Sequence, residues 1–411
     1  EQSLAQLNSN NNFAGYTSEQ TFFNSSNQGK GTYSSTIVDA PTGSSKIITA
    51  TGKVYRTSTS ASPVSTRTIR VTIVGTGSDG YSVQTGPGGL ILTGSGNITN
   101  SDVYVNGTIT LTGSANIGTY NNPLDVKVAY QSCPSGNSPG STYPTTCTTG
   151  QPISLAYSTH IYGTVCATNQ TSTGPNPSKN ILPGVSGQGL VTACVAPPIA
   201  QPSFDRPAHI AKMTTTASAT DTNYNCSTWK NPVGFVRTWP ANLKLTGNVN
   251  ASSSCDLTIT GDVYITGDLN IGGAAKIKVA DSVGTTRPVI LVDGKITVGG
   301  SGGIIANKSG TGAWFISTKS NAPCGSACTN ITGTQLKTTQ TYETIDVNGA
   351  ASLAGMVFQA YWGQVSIGGS GNIGAAVGQT INMSGAGTVT FGTKLSSGNT
   401  IWTVTSYQQL Y

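Results

Sequence analysis

Apolar and polar positions alternate along most of this chain, and the grammar of that alternation changes twice. At the start Leu4 and Leu7 stand three apart, the spacing of one helix face, and the polar run from Asn8 to Asn12 stops it. Three period-2 segments follow, Gly31 to Val38, Lys46 to Tyr55 and Arg67 to Val74, each bounded by Gly, Pro or Ser clusters. This predicts a helix end leading into an antiparallel meander, a small α+β headpiece over residues 1–80.

From Gly88 a longer frame takes over. Gly88, Gly107, Gly267, Gly294 and Gly363 each open a stretch with aliphatics two and four residues on, a glycine at six and an aliphatic at ten. The aliphatic pairs are Leu90/Leu92, Ile109/Leu111, Leu269/Ile271, Ile296/Val298 and Val365/Ile367, and the closing aliphatics are Ile98, Ile117, Ile277, Ile304 and Ile373. Alternate aliphatics turn one face of a short strand inward, while the glycine permits a corner that other residues would strain. One coil cannot bury its apolar face alone, but stacked coils can. The frame predicts a mainly β chain, a β-solenoid of the parallel β-helix type with one turn per copy, over residues 81–130 and again over 241–411. A β-sandwich is the structural alternative, since short strands with turn signals also fit it. The last strand, around Trp402 to Tyr407, is expected to cap the core.

Residues 131–240 read differently. They hold 13 of the 19 prolines and five of the eight cysteines, with few alternating runs. This stretch is expected to be an insertion stapled by disulfides and carried outside the coils, a common location for function. Its aromatics Tyr143, Tyr157, Tyr162, Tyr224, Trp229 and Trp239 are candidates for a binding surface, or else for a small core of the insertion itself.

Composition narrows the function. Charged residues make up 9% of the chain, so the material for acid–base chemistry is thin, and only His160 and His209 supply imidazole. The net charge of +6 is spread without a run, which argues against specific nucleic-acid binding. DNA capture would be favoured only if Lys30, Lys46, Lys53, Arg56, Arg67 and Arg70 shared one face. The order of the cysteines suggests sequential pairing, Cys133 with Cys147, Cys166 with Cys194, Cys226 with Cys255 and Cys324 with Cys328, although sequence alone leaves 105 arrangements open. A metal reading of Cys324 and Cys328 lacks a second ligand pair, so disulfides and an oxidising compartment are expected. No cofactor is expected, as there is no phosphate-binding glycine–lysine loop.

The chemistry candidates are few. Asp256, Asp262 and Asp268 form the best carboxylate cluster for a polysaccharide lyase or glycosidase, but Asp102 recurs in the frame of Asp262, which suits a corner residue better than a catalyst. Asp205, Arg206 and His209 bring acid, base and imidazole together without a positioned nucleophile, and a local ion pair or turn is the simpler reading. No stretch is long and apolar enough to span a membrane. The opening Glu1-Gln-Ser-Leu-Ala-Gln-Leu7 reads as the tail of a helix whose front is cleaved or left out.

That opening, the strands that follow it, the Gly-x-aliphatic repeats and the terminal Trp402–Tyr407 resemble the prepilin-derived, pilus-associated proteins of bacterial type IV pilus systems, in the large-pilin and tip-protein group. The resemblance implies a non-enzymatic, adhesive or structural protein of the cell surface. It would dock with other pilin or filament subunits through its N-terminal helix and touch the membrane only through a helix missing from this sequence. It would present its solenoid and insertion outward to a host-cell or glycan ligand.

Overall fold

A computed structural model of the chain describes residues 2–9, 13–25, 29–39, 45–76, 81–100, 102–130, 151–168, 177–225 apart from 186, 192, 193, 197, 198, 200, 203 and 222, 236–319 apart from 253 and 302, 343–390 apart from 350 and 351, and 401–410. It divides into two compact units, Glu1–Asp79 with Ser396–Tyr411, and Gly80–Leu395.

In the first unit the helix Gln2–Ser9 lays Leu4 and Leu7 on Ile48, Ile73, Phe13, Ile37 and Val71. Phe13 precedes the sheet, and the other four come from it; its antiparallel order is Gln20–Ser25, Gly29–Asp39, Ser45–Tyr55, Ser65–Thr76 and Ile401–Leu410. The expected meander therefore forms the middle of a larger sheet. The last strand departs from expectation: Trp402 stands opposite Gly75 and Val404 opposite Ile73, so the strand extends this antiparallel sheet instead of capping the coils. A period-2 pattern suits either kind of sheet, and nothing local chooses between them.

The second unit is mainly β, and its strand pairs are parallel throughout the described residues. Leu243–Thr246 pairs with Val263–Ile265, that strand with Val289–Val292, and that with Trp314–Ser317, which makes a first face. Val249–Ala251, Leu269–Ile271, Ile296–Val298 and Glu343–Val347 make a second. Val236–Trp239, Asp256–Ile259, Lys276–Val279 and Gly303–Ile305 make a third. Ser352–Ile367 and Asn372–Met383 bend through all three. The pairings also close a ring of eight parallel strands, with the remaining strands outside it. The ring runs through Tyr81–Leu92, Asp102–Val105, Leu124–Val128, His160–Ala167, Asn116–Ile117, Asn97–Thr99, Thr388–Thr390 and Asn372–Met383. It exists because Tyr81–Leu92, His160–Ala167 and Asn372–Met383 turn corners and pair on more than one face.

The repeat read from the sequence sets the register. Leu90 pairs with Ile109, 19 residues on, and Leu269 with Ile296, 27 residues on. All five aliphatic pairs and all five closing aliphatics are buried in one continuous core. Each such side chain stabilises the fold by about 1.5–3 kcal/mol on burial. The sixth-position glycines Gly94, Gly113, Gly273, Gly300 and Gly369 all have positive φ, between 65° and 80°. They stack with Gly349 and Gly385 into one column that starts at Gly273, in which a Cβ on each of the other six would strike the carbonyl oxygen of the glycine below at 2.4–2.8 Å. That oxygen already accepts a rung-to-rung bond, as in Ser114 N–H to Gly94 O at 2.7 Å. Glycine is required there twice over, for φ and for space.

The chain joins this ladder in its middle. Tyr81–Leu92 lies between Asp102–Val105 and Ile109–Leu111 on one side and Asn372–Met383 on the other. The ladder grows away from that rung to Leu190–Val191, and the chain then restarts at Thr215–Ser218, at the far end, and winds back. Residues 131–240 thus differ from the expected insertion: Ile153–Leu155, His160–Ala167, Ile181–Leu182, Thr215–Ser218 and Val236–Trp239 are rungs of the ladder. Prolines in the connections masked the short alternating runs between them.

Candidate functional site

From Cys166 in His160–Ala167 to Asn242 beside Leu243–Thr246, residues 194–214 must cover nine strand-to-strand steps of the first face. At about 4.8 Å per rung this is roughly 43 Å. They do so as a strap. Cys194 is bonded to Cys166, with Cα atoms 5.6 Å apart. Ala196 N–H donates to Thr168 Oγ1 at 2.9 Å. The Asn106 carboxamide donates to Ile199 O at 2.6 Å and accepts from Ile199 N–H at 3.0 Å. Gln359 Nε2 donates to Pro202 O at 3.0 Å. Side chains hold the strap because Pro202 and Pro207, and Pro197 and Pro198 in the same stretch of sequence, lack the N–H a ladder strand needs.

The strap ends in the helix Arg206–Ala211, capped by Asp205, whose Oδ1 accepts from Ala208 N–H at 2.9 Å. Phe204, Ile210 and Met213 cover Tyr264, Leu291 and Ile316, a small apolar layer outside the first face. At its centre Arg206 Nε and Nη2 donate to the two oxygens of buried Asp293 at 2.9 and 2.6 Å. Thr318 Oγ1 and the Tyr264 phenol donate to the same carboxylate at 2.8 and 2.6 Å. Burial and the neighbouring Asp293 push the Tyr264 phenol up to about 12, so it remains a donor. The Asp293 hydrogen bond holds the Arg206 guanidinium charged. His209 packs at 5.4 Å from the Phe204 ring, with Nε2 3.4 Å from Val263 O and Nδ1 3.8 Å from Asp262. Burial lowers its pKa, against the pull of Asp262.

Where the strap meets the parallel strands, Phe204, Asp205, Arg206, Pro207, Thr318, Tyr361 and Trp362 line a half-open pocket of about 170 Å3. Tyr361 and Trp362 stand at 83° to each other with centroids 4.4 Å apart. Sequence reading singled out Asp205 and Arg206 as a turn or local ion pair but missed the pocket they help line, and the partner of Arg206 is the distant Asp293. A further local signal is the adjacent pair Tyr361-Trp362, which breaks the alternation of the strand Ser352–Ile367 where that strand turns a corner.

The carboxylates singled out from sequence fasten one strand or connection to the next. Asp262 Oδ1 accepts from Val289 N–H at 2.9 Å, Asp268 Oδ1 from Lys295 N–H at 2.7 Å and Asp102 Oδ1 from Asp125 N–H at 2.8 Å, while Asp256 pairs with Lys278 at 3.1 Å. Among the candidate aromatics, Trp239 is fully buried in the main core and donates to Tyr224 O at 3.0 Å, which removes it from any binding surface. Tyr224 is partly buried against that core, Tyr162 lies beside His160, and Tyr157 is 82% exposed. Tyr143 and Trp229 lie outside the described residues, as do Cys133, Cys147, Cys226, Cys324 and Cys328. Cys166–Cys194 is a disulfide, and Cys255 is disulfide-bonded. In the first unit the strand register puts Lys46 and Arg67 on the helix-bearing face of the sheet and Lys30, Lys53 and Arg70 on the other, so these cations form no common stripe.

No protein-family model and no curated protein sequence matches the chain. Among solved structures it is similar, over 95% of its length and 87% of theirs, to the competence-associated pilin ComZ from Thermus thermophilus, at 11% identity and a TM-score of 0.25. A likeness that slight does not establish a shared fold.

Proposed function

We propose that this chain is an extracellular, non-enzymatic structural and adhesive protein, a subunit or tip component of a pilus or surface filament. Its parallel coils act as a β-solenoid scaffold, and partners meet it through residues 131–240, which include the strap. The observation that carries this reading is the use made of its carboxylates: Asp102, Asp262, Asp268 and Asp293 all accept bonds that fasten one rung or the strap to another. A glycosidase needs a pair of carboxylates free to face substrate. The Cys166–Cys194 disulfide agrees with an oxidising compartment outside the cytoplasm.

Shearing surface filaments from producing cells and probing them with antibody to the chain tests the filament assignment; a chain absent from filaments and surface alike sinks it. The alternative, a solenoid carbohydrate-active enzyme, is tested on a panel of polysaccharides. Turnover abolished by Asp262→Asn or Asp268→Asn would replace the structural reading with the enzymatic one.

A further inference from the structure

Three aromatic rings, a carboxylate and a fixed guanidinium converge on the pocket beside the strap. Phe204, Tyr361 and Trp362 supply apolar surface, with the last two meeting as an L. Trp362 is nine-tenths buried, and its indole N–H has no acceptor among the described residues. That nitrogen is itself sealed from solvent, so what Trp362 contributes to the wall is ring surface. Asp205 spends Oδ1 on the helix cap and leaves its second oxygen for a donor. Thr318 and Arg206 are locked to Asp293, which fixes the floor in advance.

These features discriminate between ligand classes. An ammonium ion would suit the rings and Asp205, but the Arg206 guanidinium in the same lining repels it. An anion would suit Arg206, but Nε and Nη2 are already committed to Asp293, and Asp205 repels it. A neutral sugar ring suits the walls together: its C–H face lies on an aromatic ring and a hydroxyl donates to Asp205. We propose that this pocket binds a neutral saccharide of one or two rings. The inference deepens the adhesive reading and rests on it for its biological role, since Phe204 to Pro207 belong to residues 131–240.

The test uses the full chain labelled with 15N. Its five tryptophans give indole signals, and Trp362→Phe identifies one of them by deletion. Glucose, galactose, N-acetylglucosamine and their β-1,4-linked disaccharides are titrated in, with tetramethylammonium and inorganic phosphate as counter-probes. The expected result is a saturable shift of the Trp362 signal by at least one neutral sugar and by neither counter-probe. Tyr361→Ala and Asp205→Asn should each weaken binding about tenfold. Asp205→Asn keeps a helix-capping side chain and so preserves the fold should Tyr361→Ala lose it. The proposal is overturned if no sugar moves the signal below about 50 mM, if a counter-probe moves it instead, or if Asp205→Asn binds as tightly as the parent. Sugar binding by a chain absent from surface filaments would sink the filament reading alone; a filament component blind to every sugar would sink this one alone.

Discussion

A methyl group added to Gly113 would sit 2.4 Å from the carbonyl oxygen of Gly94, and one added to Gly300 would sit 2.4 Å from that of Gly273. Both positions also hold φ values that L-residues rarely adopt, 75° and 80°. Gly113→Ala and Gly300→Ala should therefore each cost about 1–3 kcal/mol. Gly272 has nothing within 4 Å of its would-be Cβ, and Gly272→Ala should stay within about 0.5 kcal/mol of the parent. Chemical denaturation of the three variants measures the contrast, and equal losses would refute the column. His209 sets a second residue-scale expectation. Its native pKa lies below the ordinary value, so the neutral form is favoured on folding. That contribution is complete above about pH 6.5 and is lost as pH falls from there through the native value. The Tm should drop between pH 7.5 and pH 5, and His209→Asn should shrink the drop.

At the scale of the element, the strap gathers most of the long-range polar contacts that sequence could not foretell. Arg206→Met would leave Asp293 buried with only two hydroxyl donors, which should destabilise the larger unit by about 3–5 kcal/mol in urea unfolding. Replacing Cys166 and Cys194 together by Ser frees a 28-residue separation and should cost about 3–4 kcal/mol by the loop-entropy estimate. The buried parallel strands were legible because their signal is local: a glycine and three aliphatics within eleven residues state their own register. The strap's far end was not, because Arg206 and Asp293 are 87 residues apart and Pro202 and Gln359 are 157 apart. Proline marked its extended path in the sequence but could not say over which rungs it would lie. Trp239 misled for a related reason: a ring beside Pro240 at the border of a proline-rich stretch reads as exposed, whereas its strand Val236–Trp239 is a rung with Trp239 facing the core.

For the whole molecule, two separate apolar cores predict two unfolding events. Leu7, fully buried in the first unit, belongs to a different cluster from Leu90 and its neighbours. Calorimetry should resolve two transitions, with Leu7→Ala lowering one by about 2–5 kcal/mol and Gly113→Ala lowering only the other. A single transition moved by both would overturn this.

The rung Tyr81–Leu92 finds its neighbour Asn372–Met383 only after nearly three hundred further residues, as the bond from Thr93 N–H to Met383 O records. In the first unit, Ser65–Thr76 likewise waits for Ile401–Leu410. A chain emerging N-terminus first therefore carries open β-edges in both units until Asn372–Met383 and Ile401–Leu410 arrive. Those two late strands become a condition of solubility: a product that stops before Asn372 leaves sticky edges in both units, which a quality-control protease can find.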